Sequence, residues 1–184
     1  MNVKTVIANR RAYRSLKPVD ITPDLLEQLA QAASLAPSCF NNQPWRFVAV
    51  HDKATLAKLH TALSKGNEWA QDASLIIAVA TKKELDCVIG KREYHLFDTG
   101  MATAFMLLQA TELNLVAHPF AGYKPKKVAE ILNIPQDMGV IALVAVGYHS
   151  SQPSPKLSEA QLKDEKQRPA RMPRNQFFFE NRYQ

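Results

Sequence analysis

Arg10, Arg11 and Arg14 are the first residues in this chain whose type and spacing point to chemistry. Each guanidinium presents paired N–H donors, and several on one short segment can converge on a phosphate dianion. The simpler reading is a cationic helix end, favourable by about 0.3–1 kcal/mol. A second polar group lies in the stretch A-P-S-C-F-N-N-Q-P-W, residues 36–45. Here Ser38, Asn41, Asn42 and Gln43 sit between Pro37 and Pro44, and can serve a ligand's polar edge or the loop's own backbone. No G-x-S-x-G, no Cys/His pair and no metal-ligand spacing occurs, so nucleophilic and metal-assisted chemistry are not indicated. His118 has no carboxylate or cysteine partner at a motif spacing and reads as structural.

The balance of 23 Lys and Arg against 17 Asp and Glu gives a net charge of +6. That excess suits an anionic ligand. Nucleic acid is disfavoured, because no helix-turn-helix, zinc-finger or aromatic RNA-binding motif accompanies it. A phosphate-bearing small molecule accounts for the basic groups at 10–14 and 168–174 at least as well, beside the plain alternative of a basic surface. Two cysteines, Cys39 and Cys87, are too few for a disulfide framework. The N-terminus carries no long apolar run or cleavage site, and a cytoplasmic protein is expected.

The polar groups need elements to hold them. Val3, Val6 and Ile7 at helical spacing predict a helix over 2–9 that delivers the arginines. Thr22 followed by Pro23 is a helix start, and Leu25, Leu26, Leu29, Ala32, Ala33 and Ala36 follow a 3.6 period up to the 37–44 loop. Residues 45–50, 74–80 and 140–146 read as strands; 56–63 and 126–132 read as short helices. The stretch 94–114 is apolar on almost every side, so it is central in the domain or covered by a partner. With 184 residues, one domain suffices. The helix and strand order predicts an α/β (α+β) sandwich of helices on a mixed sheet. No G-x-G-x-x-G follows a strand, which disfavours a Rossmann domain. A polar linker over 149–155 precedes a polar helix over 157–166 and an arginine-rich tail with Phe177, Phe178 and Phe179. That triplet needs a cover.

P-S-x-x-N-x-Q-P-W followed by an apolar strand resembles the signature loop of the nitroreductase family, FMN-dependent homodimeric flavoenzymes. R-R-x-x-R at 10–14 resembles that family's FMN-phosphate motif, with Ala12 where a serine is common. Asn67 in G-N-E-W and the loop H-P-F-A-G-Y at 118–123 are similar to its remaining flavin contacts. The resemblance spans Arg10 to the terminal arm, in the family's order.

It implies a three-layer sandwich and an intertwined homodimer. Residues 1–150 would form the FMN-binding core, and 151–184 a linker and arm wrapping the partner. The cofactor-binding residues it implies are Arg10, Arg11, Ala12, Arg14, Pro37, Ser38, Cys39, Asn41, Gln43, Asn67, Ala121 and Gly122, joined by Arg171 or, one turn away, Arg168. The Ala121 and Gly122 backbone would approach flavin N5. Phe40 and Tyr123 would line the acceptor slot, with no catalytic side chain and no metal. Family members often carry a lysine shortly after the Asn67 position, facing the flavin pyrimidine, and none stands here before Ser74. Either Arg14 supplies that charge or the flavin potential is lower. The implied activity is hydride transfer from NAD(P)H through FMN to nitroaromatic, quinone or related acceptors by a ping-pong mechanism, without nucleic acid or membrane partners. The alternatives are a non-catalytic FMN sensor or carrier and a non-flavin basic binding module.

Overall fold

A computed structural model describes residues 1–183. Its helices begin where side chains satisfy the free N–H groups of a first turn. Asn2 accepts from the Thr5 N–H at the start of α1 (Val3–Asn9). Thr22 does so for Leu25 at 3.1 Å ahead of α2 (Pro23–Ser34), with Pro23 in the first turn. Asp52 caps α3 (Lys53–His60), and Ser158 with Gln161 forms a reciprocal capping box on α6 (Glu159–Lys166). The long helix α4 covers His95–Glu112 and α5 covers Pro125–Ile131.

The strands are β1 (Leu16–Lys17), β2 (Arg46–Val50), β3 (Leu75–Thr81), β4 (Val88–Ile89), β5 (Arg92–Glu93), β6 (Val116–Phe120) and β7 (Gly139–His149). β4 and β5 form a separate hairpin. In the main sheet β3 lies between β2 and β7, and β7 also pairs with β6 and β1. Every pairing among the described residues is antiparallel, so the sheet expected to be mixed is antiparallel within this chain.

All seven residues of β3 are buried, so the strand reads as a continuous apolar run with both faces covered. Leu75, Ile77 and Val79 join Val144 and Val146 against α2 and α4, through Leu29, Ala33, Ala102 and Met106. Ile76, Ala78 and Ala80 join Leu143 and Ala145 against Leu59 of α3, Trp69 and Val128 of α5. The period of two thus splits one sheet into two cores and yields the α–β–α sandwich.

One local difference from the sequence reading has a clear cause. Residues 118–120, read as the start of the 118–123 loop, instead complete edge strand β6 (Val116–Phe120); Pro119 is exposed there, and an edge strand tolerates its missing N–H. Helix α4 buries Asp98, Thr99, Ala102, Met106 and Ala110 on one side only, while Leu96, Phe97 and Phe105 remain exposed. The arm after α6 contains one short turn, Arg174–Gln176, and leaves Phe177 and Phe178 exposed.

Because Leu143 is fully buried at the centre of β7, Leu143→Ala should cost about 2–5 kcal/mol through lost burial and the cavity left behind. Urea denaturation should show a lower midpoint with an unchanged slope.

Candidate functional site

The basic segment after α1 is held by the far end of the chain. Arg168 donates from Nη2 to the carbonyls of Ala8 and Arg10. Glu165 at the end of α6 accepts from the N–H groups of Arg14 and Ser15. Arg11 donates to the Asp164 and Glu165 carbonyls at 3.0 and 3.2 Å and lies over the Tyr13 ring. A cation against the carbonyl end of a helix is favourably placed. Arg10 is held below the ordinary guanidinium range, first by burial and then by Arg168, Arg171 and Arg11. Among the described residues no carboxylate forms a salt bridge with Arg10 or Arg14. Of the two C-terminal arginines named from the sequence, Arg168 bonds to the N-terminal motif, and Arg171 acts on Arg10 through its charge. Ala12 is exposed within it.

The 37–44 loop is built as a rigid corner. The Ser38 hydroxyl accepts from the Gln43 N–H at 2.9 Å, Gln43 Nε2 donates to the Asn41 carbonyl, and the buried Thr81 hydroxyl donates to the Pro44 carbonyl at 3.0 Å. Phe40, Asn41 and Gln43 adopt φ of 47, 58 and 49°. For a bulky residue such as Phe40 the left-handed region costs roughly 1–2 kcal/mol, which the surrounding ties must offset. The Phe40 ring is 87% exposed, while Pro37 is exposed and Ser38 and Cys39 are half-buried. The Cys39 N–H donates to the buried Asp98 carboxylate at 2.6 Å. Burial raises the Asp98 pKa; the Cys39 bond opposes this and neighbouring Asp86 adds to it.

The two cysteines, set aside in the sequence as too few for a disulfide framework, are bonded to each other across 48 residues. A spacing that long carries no local motif, so the pairing had no signal in the sequence.

A third group surrounds the 118–123 segment. The Ser64 N–H donates to the Gly122 carbonyl, and a Cβ at Gly122 would collide with the Asn67 amide, so glycine is needed for the two loops to meet. Ala121 is exposed beside it. Tyr123 is buried, with its hydroxyl donating to the Val140 carbonyl at 2.9 Å, and burial pushes the phenol up to about 12. It supports the loop from beneath. Trp69 packs at a tilt against His118, with centroids 4.5 Å apart, and meets Phe120 edge-on at 5.3 Å. His118 donates from Nδ1 to the Tyr13 carbonyl at 3.0 Å, tying this group to the arginine segment. Glu165 and His118 thus position the basic motif. Neither tie crosses fewer than a hundred residues, which places both beyond local patterns.

These groups fall into two sets. The arginines, His118, Asn67 and Gly122 lie with the core that contains Leu59 and Trp69; the 37–44 loop runs into Trp45 in the opposite core. Segment 10–15 also meets the start of β3, through Ser154 and Asp72, whereas Pro44 meets its end at Thr81. Seven strand residues separate these points, about 20 Å at 3.3 Å per residue. The two sets therefore lie toward opposite ends of β3.

The chain thus combines a layered α+β fold with a cluster of arginines from both chain ends and an amide-lined corner. The Nitroreductase family model matches residues 7–148, and the chain belongs to this family. The "NADH dehydrogenase" of Thermus thermophilus is 27% identical over 186 residues, covering 84% of this chain and 90% of that protein. A solved structure described as an oxidoreductase containing FMN superposes with a TM-score of 0.85 at 28% identity, covering all of this chain and 94% of the other. A nitroreductase family protein from Clostridium difficile gives 0.80 at 25% identity with full coverage of both chains.

Burial pushes the His118 imidazole down to about 4; the Tyr13 bond opposes the shift, and Arg14 and Arg10 add to it. A folded pKa below the unfolded value of about 6.5 means stability that is complete above that value and lost as pH falls toward 4. The loss should be on the order of 3 kcal/mol. Urea melts across this window should show it, and His118→Asn should flatten that part of the profile.

Proposed function

We propose that this chain is an FMN-dependent NAD(P)H oxidoreductase whose two flavin sites are each composed from two copies. The observation that carries the reading is the gathering of Arg10, Arg11, Arg168 and Arg171 without a carboxylate to neutralise Arg10. Like charges held together are uphill, and a phosphate dianion relieves them. The donor set fits FMN: guanidiniums for the phosphate, and amides and backbone N–H groups for a planar heterocycle.

The dimer follows from the division of the site. The boundary expected at residue 150 moves: Ser154, Gln161, Glu165 and Arg168 bond to the same chain's Ser15, Gly66, Arg14 and Arg10, so they belong to the core of each protomer, and the arm beyond Arg171 wraps the partner. The 37–44 loop of one copy, with Ser38, Asn41 and Gln43, faces the Asn67 and Gly122 group of the other. Exposed Leu96, Phe97 and Phe105 on α4, beside a cleft of about 550 Å³ between α1, α2 and α4, supply an apolar face for that contact. Obligate interfaces run to roughly 2,000 Å² or more and resemble cores.

When bound, FMN supplies the hydride and electron chemistry. The protein binds and orients. Arg10, Arg168 and Arg171 hold the phosphate, and Arg11 braces the segment through α6. Arg14, lacking an acidic salt-bridge partner, supplies the positive charge at the pyrimidine edge that a lysine after Asn67 gives elsewhere. The Gly122 backbone makes room beside Asn67, and exposed Phe40 lines the slot. NAD(P)H and a planar, electron-poor acceptor such as a nitroarene or quinone occupy that one slot in turn, because the chain offers no separate nucleotide domain. Stacking rewards shape with few directional contacts, so several acceptors should turn over.

Arg10→Ala should weaken FMN binding about 10- to 150-fold, since a charge-assisted bond contributes about 1.5–3 kcal/mol. Riboflavin, lacking the phosphate, should bind poorly to the wild type and change little with the substitution. Unchanged FMN affinity would refute the cradle.

One shared slot should give parallel double-reciprocal lines and competition between excess acceptor and NAD(P)H. Sedimentation at low micromolar concentration should show one flavin-loaded dimer species. Intersecting lines would refute the shared slot, and a stable flavin-loaded monomer would refute the composite site. Flavin that binds but does not bleach with NAD(P)H would mark a carrier or sensor instead.

A further inference from the structure

The Cys39–Cys87 bond serves none of the chemistry above, yet it fastens the corner that forms half of the proposed site. The two Cα atoms are 6.1 Å apart, and both residues are half-buried, within reach of small reagents. Cys39 opens the turn that carries Phe40 and Asn41 in the left-handed region. Cys87 lies between the 83–85 turn and the β4–β5 hairpin. Apart from the bond, Asn42 joins these segments, donating to Asp86 Oδ1 at 3.2 Å and Cys87 Sγ at 3.4 Å. Left-handed backbone at bulky residues persists only where its surroundings over-determine it. Opening the bond removes the one covalent tie from such a segment and leaves only hydrogen bonds to hold it, from Cys39 to Asp98, Gln43 to Ser38 and Asn41, and Asn42 to the 86–87 segment.

We propose that Cys39 and Cys87 are a reversible dithiol–disulfide couple that switches the 38–43 loop between a fastened, ligand-competent form and a loose one. The proposal rests on that loop being part of the FMN site. The oxidant is a small disulfide of the glutathione type. One protein thiolate attacks it and displaces one small thiol, forming a mixed disulfide. The second protein thiolate attacks the protein sulfur of that intermediate and releases the other small thiol. Two protein thiols are oxidised, one small disulfide is reduced to two thiols, and the reverse exchange restores the dithiol. Asp86 and Asp98 stand beside the pair, and the Asn42 amide donates to Cys87 Sγ.

The full chain should be equilibrated in glutathione buffers of graded ratio, quenched by alkylation and read by mass. A single two-thiol transition should appear within the accessible range. Hydrogen exchange in the peptide spanning 38–43 should be faster in the reduced form. FMN should bind about 10-fold more weakly to it, the effect of a loop competent about a tenth of the time. Cys87→Ser, outside the binding residues, should show the fast exchange and weaker affinity at every glutathione ratio, with a retained circular-dichroism spectrum.

A pair that stays in one state across all buffers, or loop exchange that ignores the redox state, would overturn the proposal. So would a reduced pair that takes up one equivalent of Zn2+ and then resists oxidation, since both sulfurs and an Asp86 oxygen lie within 4.8 Å of one another. If neither form binds FMN, the functional reading fails, while the titration and the exchange still decide the couple.

Discussion

The antiparallel ladder between β3 and β7 governs where everything else can be. Both strands bury both faces, so their alternate side chains commit α2 and α4 to one side and α3 and α5 to the other. The connections inherit that commitment. The loop after α2 must enter β2 beside the end of β3, and the segment after α1 must enter β1 beside the end of β7. Those places lie on opposite faces and at opposite ends of one strand. Division of the polar groups into two sets is therefore a consequence of core patterning, and it is the reason the proposed site is composed from two copies.

Electrostatics adds a coupling that the sheet does not. Arg10 and Arg11 come from the start of the chain, Arg168 and Arg171 from its end. Their mutual repulsion is offset in part by the α6 carbonyls on Arg11 and by Glu165 on the backbone of Arg14 and Ser15. On the proposed reading, the phosphate that neutralises the remainder needs both chain ends in place. Ligation then stabilises the docking of the C-terminal segment by mass action, whereas charge neutralisation of separate segments would not.

Much of this was legible in the sequence. Thr22–Pro23, the 3.6 period of α2 and the apolar run of β3 specify their elements by local chemistry. The motif positions at 10–14, 37–44 and 67 fall on the connections between elements, whereas 118–123 begins in strand β6 and buries His118, Phe120 and Tyr123. What escaped has one cause: each missed feature is a contact between residues distant in sequence. β6 is a strand because β7 pairs with it, despite Pro119. His118 is fixed by Tyr13, Arg14 by Glu165, and Cys39 by Asp98 and Cys87. Tyr123 has the aromatic character of a slot lining but is claimed by the core through Val140. Periodicity reports which face of an element is buried, and says nothing of which distant group fills the last polar valence.

The two halves of the proposed site consequently differ in what holds them still. The 37–44 corner is fixed locally, by left-handed backbone, internal hydrogen bonds and one covalent tie. The arginine cradle is fixed remotely, by a helix and an arm whose apolar residues remain exposed in a single chain. A preformed corner lowers the ordering cost of binding at the ring, while a cradle that completes itself across the chain concentrates that cost at the phosphate. Discrimination among flavins should then reside at the phosphate end. Tolerance among electron acceptors should reside at the ring, where shape rather than directional bonding decides what stacks.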